Sequence, residues 1–181
     1  MDKYNKDENA HLRKQDHINL SFQAQVDAIA LDKRFFYEPM LAPHPAPDMD
    51  LGLDFLRKRM DAPIWVSSMT GGAKFAKVIN QNLAKAVNEF GLGMGLGSCR
   101  NLLYDDKHFA DFDVRHSIGD RLLYANLGIA QIEHELATGS LQKVEELLKK
   151  LQVDGLIIHV NPLQEWIQPE GDKITQAPLM E

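Results

Sequence analysis

The chain has 181 residues, 44% hydrophobic and 25% charged, with a net charge of −6, a composition suited to one globular domain with a packed core. An acidic balance with a pI near 5.6 excludes the dense basic face that non-specific nucleic-acid binding requires, and no window reaches the ~18 consecutive apolar residues of a membrane span. Residues 1–20 lack the apolar stretch of a signal peptide and Cys99 is the only cysteine, so no internal disulfide forms and a cytoplasmic setting is expected.

Residues 1–60 are expected to form an N-terminal extension: a polar, helical opening around residues 6–16, then a stretch that Pro39, Pro43, Pro45 and Pro47 keep from being helix interior. Arg13-Lys14 with His17 makes a basic group suited to phosphate oxygens, although most such pairs are solvated helix surface.

From Pro63 onward, short apolar runs alternate with helical segments. Ile64-Trp65-Val66 precedes a helix over residues 74–90, with Val78, Leu83, Ala86, Val87 and Phe90 as its apolar face. A second strand is expected over residues 91–97 and a third at Leu122-Leu123-Tyr124-Ala125. The third leads to a helical stretch around residues 130–136 and an amphipathic helix at 141–151. The fourth strand covers 155–160. Runs spaced about thirty residues apart, apolar almost throughout, suit βα units whose strands are buried on both faces of a parallel sheet. Residues 61–181 therefore supply about four βα units. They open either a doubly wound sheet or the first half of a (β/α)8 barrel, which takes about 250 residues when whole.

Ligands of such sheets collect at the carboxyl ends of the strands, and polar or small residues stand at each of those ends. Ser67-Ser68-Met69-Thr70-Gly71-Gly72 follows the first strand, either capping the next helix or exposing backbone N–H groups to a ligand. Gly91, Gly93, Gly95 and Gly97 alternate along the second strand, so one face is bare. That face either seats a neighbouring helix or leaves room for a planar cofactor, and its spacing is not the G-x-G-x-x-G dinucleotide fingerprint. Next comes Ser98-Cys99-Arg100, an arginine fit for a phosphate or a surface ion pair, beside a cysteine read as inert packing.

Asn126-Leu127-Gly128 ends the third strand with an amide that binds a ring edge or caps a turn. The fourth strand runs into His159, Asn161, Gln164 and Glu165. One carboxylate among oxygen and nitrogen donors suits a Mg²⁺ ion that keeps its waters and leans on substrate phosphates, although a lone glutamate is by default solvated.

Taken in order, Arg13-Lys14-x-x-His17, Ser68-Met69-Thr70-Gly71-Gly72, Gly97-Ser98-x-Arg100, Asn126-Leu127-Gly128 and His159-x-Asn161-x-x-Gln164-Glu165 resemble the type 2 isopentenyl-diphosphate isomerases. The resemblance implies an FMN-dependent (β/α)8 barrel that interconverts isopentenyl and dimethylallyl diphosphate with reduced flavin, Mg²⁺ and NADPH as reductant. It implies that Ser68, Met69, Thr70, Ser98 and Asn126 contact FMN. Arg13, Lys14, Ser98, Arg100 and Gln164 would bind substrate, Glu165 would hold Mg²⁺, and His159 and Asn161 would line the pocket with Gln164 near the reacting carbons. Cys99 departs from the family, which more often has glutamine there.

The remaining strands of the barrel are not in this sequence, so it is expected to act as a truncated form, as a homo-oligomer or with a missing C-terminal half. Two other readings are a different FMN-barrel oxidoreductase and a non-catalytic half-barrel that assembles with a second chain.

Overall fold

Four apolar runs pair side by side into one parallel sheet. In the computed structural model the strands are β3 (Trp65–Val66), β4 (Gly93–Ser98), β5 (Leu122–Gly128) and β6 (Gly155–His159), hydrogen-bonded in the order β3-β4-β5-β6. The structure describes residues 46–167, apart from Met69, Lys74 and the side chain of Gln164, together with Gln23, Met40 and Ile174 singly. The expected opening helix and the Arg13-Lys14-His17 group lie outside the described residues. Contacts divide the chain into Met1–Pro47 and Asp48–Glu181, and the elements below belong to the second unit.

Ahead of the sheet, β1 (Leu53–Phe55) and β2 (Lys58–Met60) form an antiparallel hairpin. Helix α1 (Ala76–Phe90) links β3 to β4. The β4–β5 connection holds a 3-10 turn (Arg100–Leu103) and two short helices, α2 (Phe109–Phe112) and α3 (Arg115–Ile118). Helices α4 (Ile129–Ala137) and α5 (Gln142–Leu151) link β5 to β6, and α6 (Pro162–Ile167) follows β6. Each parallel strand pairs with the next in sequence, without the reversal of order that marks a doubly wound sheet.

The two sheet faces differ in chemistry because side chains alternate. Met94, Leu96, Leu123, Ala125 and Leu127 point to one face and form the main core with Ala84 and Val87 of α1, Ile132 of α4, and Val144, Leu147 and Leu151 of α5. On the other face, Met60, Leu122 and Tyr124 form a smaller cluster with Leu53, Trp65 and Ile157. Phe55, Trp65 and Tyr124 stack edge to face with centroid separations of 6.0 and 5.5 Å. Hairpin side chains thus cover the beginnings of the strands on the face opposite the described helices.

Helix α1 is rotated from the sequence expectation. Its buried residues are Ala76, Asn80, Ala84 and Val87, whereas Val78 and Phe90 are exposed. Small residues bring the helix close to the sheet, a gain that the size of valine and phenylalanine did not outweigh. Gly91 stands outside β4. It closes α1 in the left-handed conformation at φ 64° while the Leu92 N–H bonds Val87 O at 3.0 Å, a C-terminal cap that only glycine adopts cheaply.

The strand beginnings are fastened by charge. Asp154 accepts the Leu123 N–H at 2.9 Å and pairs with Lys58 at 2.8 Å and Arg115 at 3.1 Å. Arg115 also donates to the carbonyls of Gln152, Gly119 and Arg121. Burial raises the Asp154 carboxyl pKa, but the hydrogen bonds from Lys58, Leu123 and Arg115 outweigh it and hold the pKa below the ordinary value. Among the described residues, no helix is long and apolar enough to cross a membrane.

Candidate functional site at the carboxyl rim

Among the described residues the bare glycine face seats no helix. Met94 and Leu96, which alternate with the glycines, carry the helix contacts, so Gly93, Gly95 and Gly97 face the other way. A Cβ at Gly93 would stand 2.1 Å from Trp65 ring atoms, and one at Gly97 would stand 2.6 Å from the Thr70 backbone. The glycines therefore admit Trp65 low on the strand and the segment after β3 at its top. Over Gly95 the nearest groups are Ile157, Ser68 Oγ at 3.0 Å and Trp65 Nε1.

Ser98 owes its position to an irregularity that alternation does not predict. Gly95 pairs with Tyr124 and Ser98 with Asn126, so β4 advances three residues while β5 advances two. This bulge reverses the alternation: Cys99 turns into the core at 0% exposure and Ser98 is exposed on the opposite side. Ser98 therefore stands in register with Asn126 on the face of the bare glycines. The Cys99 N–H donates to Asn126 O at 2.8 Å, which continues the pairing past the strand end.

Asn126 is 7% exposed and donates from Nδ2 to Ser68 Oγ at 3.1 Å. Three residues expected at the site, from the ends of β3, β4 and β5, thus converge. Thr70 is next to them, its backbone against Gly97. Arg100 opens the 3-10 turn beyond Ser98 and is exposed, its N–H a long 3.5 Å from Ser98 Oγ.

At the end of β6, His159 pairs with Gly128 and is exposed. By strand alternation it shares the face of Ile157 and Asn126. Asn161 and Pro162 then begin α6, proline occupying the first helical position, where its missing N–H costs nothing. The Glu165 N–H donates to Asn161 O at 3.2 Å, so α6 places its partly buried side chain one turn into the helix.

The thiol of Cys99, buried and within 3.4 Å of Gly97 O, is pushed up to about 11 by burial. That agrees with an inert packing role and removes it as a nucleophile at neutral pH. Arg13, Lys14, Met69 and the side chain of Gln164 lie outside the described residues.

These groups suit one edge of a flat heteroaromatic ring: hydroxyls and an amide offering donors and acceptors at the top of a strand whose glycines carry no side chains of their own. For a metal the fit is narrower. Among the described residues no cluster of three or more His, Cys, Asp or Glu converges, so Glu165 suits only a Mg²⁺ ion completed by waters and ligand phosphates.

Sequence reasoning missed Asn80, Asp111 and Phe112. Asn80 was legible as a polar residue four places from Ala76 and from Ala84 on one helical stripe. Asp111 and Phe112 sit on a single helical turn too short to show a period.

Comparison with curated proteins gives relatives of one name. The chain is 39% identical over 164 residues to the isopentenyl-diphosphate delta-isomerase of Synechococcus sp., a match covering 88% of this chain and 46% of that protein. For the protein of the same name in Nostoc sp. the identity is 37% over 164 residues, with 88% and 46% covered. For that of Rickettsia bellii it is 38% over 165 residues, with 89% and 47% covered. The chain spans about half the length of the curated relatives it matches. No protein-family model matches it. The likeness to isopentenyl-diphosphate isomerases read from the ordered motifs is borne out by these relatives.

Proposed function

We propose that this chain forms the first four βα units of an FMN-dependent (β/α)8 barrel that interconverts isopentenyl and dimethylallyl diphosphate in cytoplasmic isoprenoid biosynthesis. The observation that carries this reading is the convergence of Ser68, Ser98 and Asn126 at the carboxyl rim of a sheet wound strand by strand without reversal. The relatives named isopentenyl-diphosphate delta-isomerase support the substrate class.

In this proposal Ser68, Met69, Thr70, Ser98 and Asn126 hold FMN. The Asn126–Ser68 hydrogen bond orients both side chains before the ring arrives, so less ordering is left to binding. Arg13, Lys14, Ser98, Arg100 and Gln164 hold the diphosphate substrate, and the guanidinium of Arg100 presents paired donors to phosphate oxygens. Glu165 holds Mg²⁺ against the diphosphate, while His159 and Asn161 line the pocket. Flavin reduced by NADPH supplies a proton carrier with no net redox change, and Gln164 lies near the reacting carbons. The amide is too weak an acid or base to move that proton unaided.

The test is to incubate the chain with isopentenyl diphosphate, FMN, NADPH and Mg²⁺ and to follow dimethylallyl diphosphate by NMR. Turnover that requires both flavin and Mg²⁺ is expected. Turnover independent of flavin, or its absence from a flavin-loaded chain, would count against the proposal.

A second reading, a half-barrel that assembles with another chain or a second copy, is favoured by the edge at β6. Ile158 and Val160 are 46% and 50% exposed there, and Trp166 of α6 is 87% exposed, an apolar edge that invites a further strand. Light scattering distinguishes the two, since this reading expects a dimer or larger species.

A further inference from the structure

We propose that Asn80 and Asp111 are positioning residues that latch the segment carrying Ser68 and Thr70 onto the carboxyl rim. The inference rests on the flavin reading for its purpose and on geometry for its existence.

Asn80 stands in the buried stripe of α1 between Ala76 and Ala84, where packing alone asks for a small apolar residue. Its side chain is 1% exposed and spends both Nδ2 hydrogens on backbone carbonyls outside its own helix, Thr70 O at 3.0 Å and Asp111 O at 2.8 Å. Both partners are acceptors only, which fixes the amide's orientation. One side chain therefore joins the segment after β3 to α2.

From α2, Asp111 Oδ2 accepts the Gly72 N–H at 3.1 Å and lies 3.6 Å from His108 Nδ1. Its neighbour Phe112 occupies the space a side chain at Gly71 would need, since a Cβ there would stand 1.9 Å from the ring. On the far side the Thr70 backbone rests on Gly97. The segment is thus gripped at Thr70, Gly71 and Gly72, while Ser68 is left to meet Asn126. None of the latch side chains belongs to the rim set, so their effect on a ligand runs through the segment they hold.

The test pairs two measurements on Asn80→Ala, Asp111→Ala and Asp111→Asn. Hydrogen exchange in the flavin-free chain reads the latch directly. Exchange at Gly72 and its neighbours should rise roughly tenfold in both alanine variants, the worth of about one hydrogen bond. Amides of β5 should keep wild-type protection, and Asp111→Asn, which retains an acceptor for Gly72, should stay close to wild type. Unchanged exchange in the alanine variants overturns the latch, as does an equal rise across the sheet, which would mean general loosening.

FMN titration, followed by flavin fluorescence, reads the purpose. Where the wild-type chain binds FMN, Asn80→Ala should weaken it roughly tenfold and Asp111→Asn should not. Equal affinity in Asn80→Ala overturns the positioning role. A wild-type chain that binds no FMN defeats the flavin reading instead, and the exchange data still decide the latch.

Discussion

Replacing Gly97 by alanine tests whether the segment after β3 is seated on β4. The new Cβ would stand 2.6 Å from Thr70 C and O and 2.8 Å from its N, whereas carbon contacts settle near 3.5–4.0 Å. Backbone must therefore retreat by about 1 Å, and no flexible side-chain tip is available to yield. Overpacking of this kind costs about 1–3 kcal/mol, while the loss of glycine's freedom in the unfolded chain returns about 0.4–1 kcal/mol.

The net expectation is destabilisation by about 1–2 kcal/mol, a fall in the urea midpoint of about 0.5–1 M at a slope near 2 kcal/mol/M. Gly139→Ala is the control: φ is 65° and nothing lies within 4 Å of its Cβ, so it bears only the left-handed penalty of about 1–2 kcal/mol. Both variants lose stability in urea titrations followed by circular dichroism, but only Gly97→Ala should weaken FMN binding. A neutral or stabilising Gly97→Ala would refute the packing argument.

Asp154 makes the chain acid-sensitive. Its folded pKa lies below the ordinary value of 3.8, so its stabilisation is complete above that value and is lost as pH falls through the folded one. Urea midpoints between pH 7 and 3 should fall less steeply in Asp154→Asn than in wild type, although the variant starts lower. Because burial raises the Cys99 thiol from 9.0 to about 11, the native chain at pH 8 should react with Ellman's reagent at least about a hundredfold more slowly than the urea-unfolded chain. Comparable rates would place the thiol outside the core. Glu165→Ala should weaken binding of a diphosphate ligand in Mg²⁺ about tenfold or more, the worth of one charge-assisted contact, and leave FMN binding close to wild type. Calorimetry showing equal losses of both would point to misfolding.

The parallel strands were legible because burial on both faces leaves almost unbroken apolar runs such as Leu122-Leu123-Tyr124-Ala125 and Leu156-Ile157-Ile158. The polar residues that end them were legible as breaks in those runs. The bulge before Ser98 was not, since a two-residue period carries no mark of an extra residue, and it shows only in the strand register and the buried Cys99. Gly91 read as strand because it continues the glycine alternation, yet its place one residue past Phe90 makes it a helix cap. The hairpin at residues 53–60 was illegible for another reason: its turn residues Leu56 and Arg57 take φ of 45° and 74° without the glycine or asparagine that usually signals such a turn. Asn80 was passed over because the larger Val78 and Phe90 drew the expected apolar face away from the small-residue stripe that is buried.

The central claim is that the Ser68–Ser98–Asn126 rim is a flavin edge, and titration of the chain with FMN, followed by flavin fluorescence, tests it most directly. Saturable one-to-one binding is predicted, weakened about tenfold or more in Asn126→Ala because the amide's contacts are lost and Ser68 loses its partner. A folded wild-type chain that leaves flavin fluorescence unchanged, or an Asn126→Ala variant that binds as tightly as wild type, would contradict it.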